Sequence, residues 1–205
     1  FGHATRDLEI ICHLQQQRPE TRIIVRTSVP AWFLERSARA SIDVQRCETD
    51  TGIAQIDSLQ FDEAETVREA ATFSSQFDSR VEAEAAVLKK VGASVVLGDV
   101  PPLAFAAARR AGIPSIAVAN FTWDWIYAAY PGFHRNASAV LATIREAYSN
   151  ADLALRLPFA GGFTTMRSVR DVPLVARHSR RSRDANRRVL DVSGQRPVVL
   201  ASFGG

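Results

Sequence analysis

The residues best suited to chemistry in this 205-residue chain lie far apart in sequence. His3 follows Gly2 and stands directly before an amphipathic run. A neutral imidazole at the edge of a cleft can take a proton from a sugar or alcohol hydroxyl if a carboxylate fixes its tautomer. Asp99, just after the apolar stretch Ser94 to Leu97 and Gly98, could supply that carboxylate. Each residue also has a plainer use, His3 as an exposed loop histidine and Asp99 as a helix N-cap. Gly2 lets the backbone approach a ligand, and the helix after it could face an anion such as a diphosphate, although glycine in such a turn can be a steric requirement only.

A second concentration is Asn120 to Tyr130, NFTWDWIYAAY. Rings stack on the C–H faces of sugars, and a carboxylate accepts hydrogen bonds from their hydroxyls. Asn120, Trp123 and Asp124 are therefore candidates for a sugar-lined pocket, with Phe121 and Trp125 beside them. A helix packing Trp123, Ile126 and Tyr127 into a core would give the same pattern, and both readings stay open here.

The order of elements places these residues. Strand-like and helix-like segments alternate with short connections, which predicts an α/β fold: a Rossmann-like parallel sheet with helices on both faces. The pattern gives a helix from Thr5 to Gln16, a strand from Arg22 to Thr27, a helix from Pro30 to Ala38 with Trp32, Phe33 and Leu34 in the core, and an edge strand from Ser41 to Cys47. Thr49 to Leu59 has no period and reads as a loop. Asp62 to Val91 reads as one long helix or two joined ones, with Gly92 as its cap. Ser94 to Leu97 and Ile113 to Ala119 are strands linked by a helix that Pro101 and Pro102 begin and Gly112 ends. A helix from Ala137 to Ser149, a strand from Leu153 to Leu157 and a last strand from Pro197 to Ser202 complete the list. In an open parallel sheet, ligands bind beyond the carboxyl ends of the strands. That rule selects Gly2, His3, Thr27, Ser28, Asp99, Asn120, Trp123 and Asp124.

Composition narrows the class. The chain is 46% hydrophobic, enough for a sizeable core, and has no apolar run near the ~20 residues of a membrane helix, which leaves only peripheral membrane contact open. Cys12 and Cys47 sit in apolar stretches and read as buried free thiols, which suits a reducing, cytoplasmic setting. The four histidines have neither cysteine pairs nor an HExxH pattern, so no metal site is expected. The net charge of +3 is uneven: from Arg156 to Arg196, ten arginines face three aspartates, a local balance of +7. Clustered arginines can neutralise phosphates, but the run Arg177 to Arg183 has no aromatic residue to stack on bases, and a solvated linker is the expected reading rather than a nucleic-acid site.

The stretches FGHATR, DVPPLAFAAARRAGIPSIAVANFTWDWIYAAY, RDVPLVAR and PVVLASFGG together resemble the N-terminal half of GT-B type glycosyltransferases. The likeness is greatest to the glycosyltransferase-like region at the front of plant L-arabinokinases and its bacterial relatives. It takes in RCETDTGIAQIDSLQFDEAET and so nearly the whole chain. The resemblance implies an apolar strand before Phe1 and a donor-binding Rossmann-like domain after Gly205. It divides the chain into an acceptor-side domain over 1–176, an arginine-rich linker over 177–196 and, over 197–205, the first strand and Gly loop of the C-terminal domain. Gly204 and Gly205 would then lie on the donor phosphate side with Gly2. The reaction implied is inverting hexosyl transfer from a nucleotide sugar such as a UDP-sugar to a small-molecule or glycan acceptor, with no further cofactor and no metal. His3 would be the general base and Asp99 its orienting partner, while Thr27, Ser28, Asn120, Trp123 and Asp124 would line the substrate side. The chain alone, without the C-terminal domain of the same protein, is expected to be inactive. In this branch a His-x-x-x-Pro pattern is common; here it reads His3-Ala4-Thr5-Arg6-Asp7, without the proline. A second implied reading, from the kinase-fused relatives, is a non-catalytic sugar or nucleotide-sugar binding module.

Overall fold

A computed structural model describes residues 2–37, 41–57, 59–177, 179, 181–192 and 197–199. The chain opens directly with a helix, α1 (Gly2–Gln17), which buries Ala4, Leu8, Ile11 and Cys12 along one stripe. That stripe packs on Leu34 and on the partly buried Val25 and Val44. These partners come from β1 (Ile24–Thr27), α2 (Ala31–Ser37) and β2 (Asp43–Arg46), and β1 and β2 pair in parallel from Ile24↔Asp43 to Thr27↔Arg46. Trp32, expected in the core, is exposed, because α2 turns Leu34 inward instead. Residues 47–57 run as the expected irregular segment, with one antiparallel bridge between Gln55 and Phe61.

The long charged stretch forms two helices, α3 (Glu63–Ser75) and α4 (Phe77–Lys90), and Asp62 caps the first by accepting from the Glu65 N–H. Then come β3 (Val96–Gly98), α5 (Pro102–Ala111), β4 (Ser115–Phe121), α6 (Trp123–Ala128), α7 (Pro131–Asn136) and α8 (Ser138–Ser149). Pro102 begins α5, and Gly112 ends it in the left-handed conformation with φ of 75°. The chain goes on through β5 (Leu153–Gly161), β6 (Val169–Asp171) and α9 (Arg183–Val189).

The architecture is α/β, Rossmann-like, with parallel pairing between the described strands and helices packed on the sheets. Instead of one continuous sheet, the described strands form a pair, β1-β2, and a separate four-stranded sheet, β3-β4-β5-β6. β4 runs two residues past its expected end and bulges between Ala119 and Phe121, so Asn120 lies within the strand rather than beyond it. The main core surrounds Phe105, Phe133, Tyr148 and Val100. The small sheet is tied to the large unit by a two-pronged ion pair: Arg26 of β1 donates through Nε and Nη2 to Glu84 of α4 at 2.8 and 2.6 Å.

Cys12 is buried and Cys47 is partly buried, with its thiol 3.6 Å from Glu84 Oε2. No helix among the described residues is long and apolar enough to cross a membrane. The segment anticipated as a linker contains α9, which Ser182 caps and which buries none of its residues. Pro197, Val198 and Val199 form no strand, and both valines are exposed. The rest of that expected strand, with Gly204 and Gly205, lies outside the described residues.

Candidate functional site

The site is built where α1 meets the carboxyl ends of β3 and β4. His3 was expected in a loop ahead of the helix; it lies in the first turn of α1. Helical spacing then places His3, Arg6 and Asp7 on one face, and the first two contact Asp99.

Asp99 is aimed by an unusual turn. Gly98 ends β3 so close to α5 that an added Cβ would stand 2.9 Å from the Phe105 ring. Val100, which follows Asp99, takes a φ of 75°, a conformation that β-branched residues strongly disfavour. The surroundings hold it there: Val100 is buried, and its carbonyl accepts a 2.8 Å hydrogen bond from the hydroxyl of fully buried Tyr148. The Tyr148 oxygen in turn accepts from the Trp123 backbone N–H at 3.1 Å, linking the Asp99 turn to the start of α6.

Around Asp99 the polar contacts are dense. Its Oδ1 lies 3.0 Å from His3 Nδ1 and accepts from Arg6 Nη2 at 2.5 Å, while Oδ2 accepts from Arg6 Nε at 3.2 Å. Arg6 Nη1 donates to Asn120 Oδ1 at 3.2 Å, which brings the end of β4 into the network. Arg6 Nη2 is also 3.1 Å from His3 Nδ1. In the tautomer with the proton on Nδ1, His3 donates to Asp99 Oδ1; in the other, Nδ1 accepts the second N–H of Arg6 Nη2. In the first, the lone pair is on Nε2, on a side chain that is 46% exposed while that of Asp99 is 7% exposed. The Phe121 ring meets the imidazole edge-on with centroids 5.4 Å apart.

Three carboxyls respond differently to this setting. Burial alone would raise Asp99, but the His3 hydrogen bond and charge, followed by Arg6, outweigh it and hold Asp99 below the ordinary carboxylate value. Asp7 is pushed up to about 8, first by burial and then by the charge of Asp99 and the hydrogen bond to it, with Arg6 opposing. Asp50, on the segment after β2, is raised by burial even though the Trp123 indole N–H donates to its Oδ2 at 3.0 Å.

Of the residues expected from sequence, His3, Asp99 and Asn120 meet in one network, and Trp123 joins its flank through Phe121, 5.0 Å away. Behind Trp123 and Asp50 a small, mainly apolar cavity opens against Phe73, Tyr127 and Ile144. Asp124 points elsewhere: it is buried, its Oδ2 lies 3.6 Å from Arg145 of α8, and its Oδ1 has no hydrogen-bond partner among the described residues. Thr27 caps its own turn by accepting from Val29 N–H at 3.1 Å, and Ser28 is exposed. Gly2 has open space where a Cβ would lie, so packing does not require glycine there. Arg6, Asp7 and Asp50 were not anticipated. The first two were legible as the i+3 and i+4 neighbours of His3, had the helix been begun at Gly2; Asp50 lies in a stretch without period.

Fold and site together define a Rossmann-like α/β domain in which a histidine and an arginine of the first helix meet an aspartate at a strand end. No protein-family model matches the chain. L-arabinokinase from Arabidopsis thaliana is 32% identical to it over 210 residues, a match that takes in 100% of this chain and 20% of that protein. The chain is thus homologous over its whole length to a region of that relative and spans about a fifth of the relative's length.

Proposed function

We propose that this chain is the acceptor-side domain of a nucleotide-sugar-dependent glycosyltransferase in which His3 is the general base. The observation that carries this reading is the contact between His3 Nδ1 and Asp99 Oδ1 at the carboxyl ends of the parallel strands. The name of the relative, L-arabinokinase, agrees with a sugar as the substrate class, and transfer as the reaction is taken from the resemblance of the sequence motifs to the front half of GT-B enzymes.

In this scheme Asp99 holds Nδ1–H, and Nε2 takes the proton of an acceptor hydroxyl as its oxygen attacks the anomeric carbon of the donor. The bond from that carbon to the diphosphate oxygen breaks, its electron pair leaves with the nucleoside diphosphate, and the anomeric configuration inverts. Asp99 stabilises the imidazolium that forms. His3 and Asp99 handle the proton, so the scheme calls for no metal. Phe121 and Trp123 would offer ring faces to the acceptor, while the donor would be held chiefly by a partner domain of the same protein.

The test uses the complete protein with a panel of nucleotide sugars and acceptors. Wild type is expected to transfer sugar, and His3→Ala and Asp99→Asn to lose ~10²-fold or more in kcat with donor binding intact. Sugar binding without turnover, equal in all three proteins, would instead identify a binding module.

A further inference from the structure

Arg6 handles no proton in this scheme, yet its guanidinium touches His3, Asp99 and Asn120 alike. Nε and Nη2 close a fork on Asp99, Nε donating to Oδ2 at 3.2 Å and Nη2 to Oδ1 at 2.5 Å. Nη1 reaches the other way and donates to Asn120 Oδ1 at 3.2 Å. A side chain of α1 that is only 15% exposed thus ties the turn after β3 to the end of β4. The fork spans both carboxylate oxygens and keeps the Asp99 carboxylate from rotating, while the tie to Asn120 keeps the planar guanidinium from pivoting.

The same geometry bears on His3. Its Nδ1 lies 3.0 Å from Asp99 Oδ1 and 3.1 Å from Arg6 Nη2, so two neighbours compete for one ring nitrogen. Asp99 calls for a proton on Nδ1, which leaves the lone pair on Nε2. Arg6, a donor only, calls for the lone pair on Nδ1. Where Nη2 is committed decides between them. Its bond to the anionic Oδ1 is the shorter and is charged at both ends, whereas Nδ1 is a neutral acceptor farther off. A carboxylate oxygen has lone pairs enough to take Nη2–H and Nδ1–H together.

We propose that Arg6 is a positioning residue that sets the tautomer of His3: with its fork closed on Asp99 and its far end tied to Asn120, Nη2 stays on Oδ1 and the His3 proton stays on Nδ1. This inference rests on the reading of His3 and Asp99 as a base pair, since Nε2 can take an acceptor proton only in that tautomer. A looser guanidinium, or an ammonium in its place, lets Asp99 turn and a donor reach Nδ1. The ring then carries its proton on Nε2, and the base is blocked.

The test reads the ring-nitrogen resonances of His3 by NMR in the complete protein with labelled histidine, assigned by their disappearance in His3→Gln. Spectra are taken at about pH 9, above the ordinary imidazole range, so that the two neutral tautomers are compared. Wild type is expected to show chiefly Nδ1–H. Arg6→Lys keeps the charge but loses the fork, and should raise the Nε2–H share to about half or more. Asn120→Ala keeps the fork but frees its far end, and should shift the ratio the same way by less. Arg6→Lys should also lose about tenfold in kcat with acceptor KM little changed. Wild type chiefly in the Nε2–H form, or one ratio in all three proteins, overturns the proposal. So does an Arg6→Lys protein that loses stability alone, with tautomer and kcat as in wild type. Should Arg6→Lys fail to fold, the Asn120→Ala ratio decides by itself. If the tautomer follows Arg6 but no sugar is transferred, the transferase reading falls and the action of Arg6 on His3 stands. If transfer needs His3 while the tautomer ignores Arg6, only the role of Arg6 falls.

Discussion

Replacing Asp7 with asparagine should change how stability depends on pH. In the unfolded chain the Asp7 carboxyl ionises near 3.8, whereas in the fold it is pushed up to about 8. Folding therefore favours its protonated form. This contribution is fully present below the unfolded value and is lost as pH rises through the interval, at ~1.4 kcal/mol per pH unit. Asp99, held below its ordinary value, acts in the opposite sense, stabilising above that value and losing its contribution as pH falls. Comparing wild type with Asp7→Asn cancels background titrations and leaves mainly the Asp7 contribution. Between about pH 5 and about pH 7 the variant should gain roughly 3 kcal/mol relative to wild type. For a chain of this size that corresponds to roughly 6–12 °C in relative Tm. Urea unfolding at a series of pH values reads the difference directly, and the gap should stop widening above about pH 8. A gap that stays constant across this range would show that Asp7 ionises normally and would refute the reading that burial and the neighbouring Asp99 hold it protonated.

Two further outcomes follow from the same geometry. Arg6→Met removes the cation that bridges Asp99 and Asn120 and should destabilise the fold by about 3 kcal/mol in denaturant unfolding; Arg6→Lys should recover only part, since a single ammonium cannot reach both carboxylate oxygens and the amide. Tyr148→Phe leaves the Val100 carbonyl and the Trp123 N–H without their buried partner and should cost about 1–3 kcal/mol, with loss of turnover as the Asp99 turn relaxes.

The alternation of helices and strands was legible because each segment carries its own period, and the proline and glycine limits of α5 fell at Pro102 and Gly112 as read. β6 escaped notice because its three residues are all exposed and show no alternation, so only pairing with β5 defines it. The separation of β1-β2 from the larger sheet is a tertiary fact with no local signature. Within the site, His3 and Asp99 could be named from their places beside apolar runs. Arg6 and Asp7 could not while the helix was begun at Thr5, since their shared face with His3 exists only if Gly2 is already helical. Asp124 was named because an acid among aromatics suits a sugar pocket; in the fold it is buried and faces Arg145.

The most direct test of His3 as the base is chemical rescue in the complete protein. Transfer by His3→Ala would be measured with and without added imidazole, beside wild type under the same conditions. Imidazole is expected to restore part of the lost rate in the variant and to leave wild type unchanged, because the alanine leaves a space where a free base can take the acceptor proton. A His3→Ala protein that transfers sugar as fast as wild type without imidazole would contradict it.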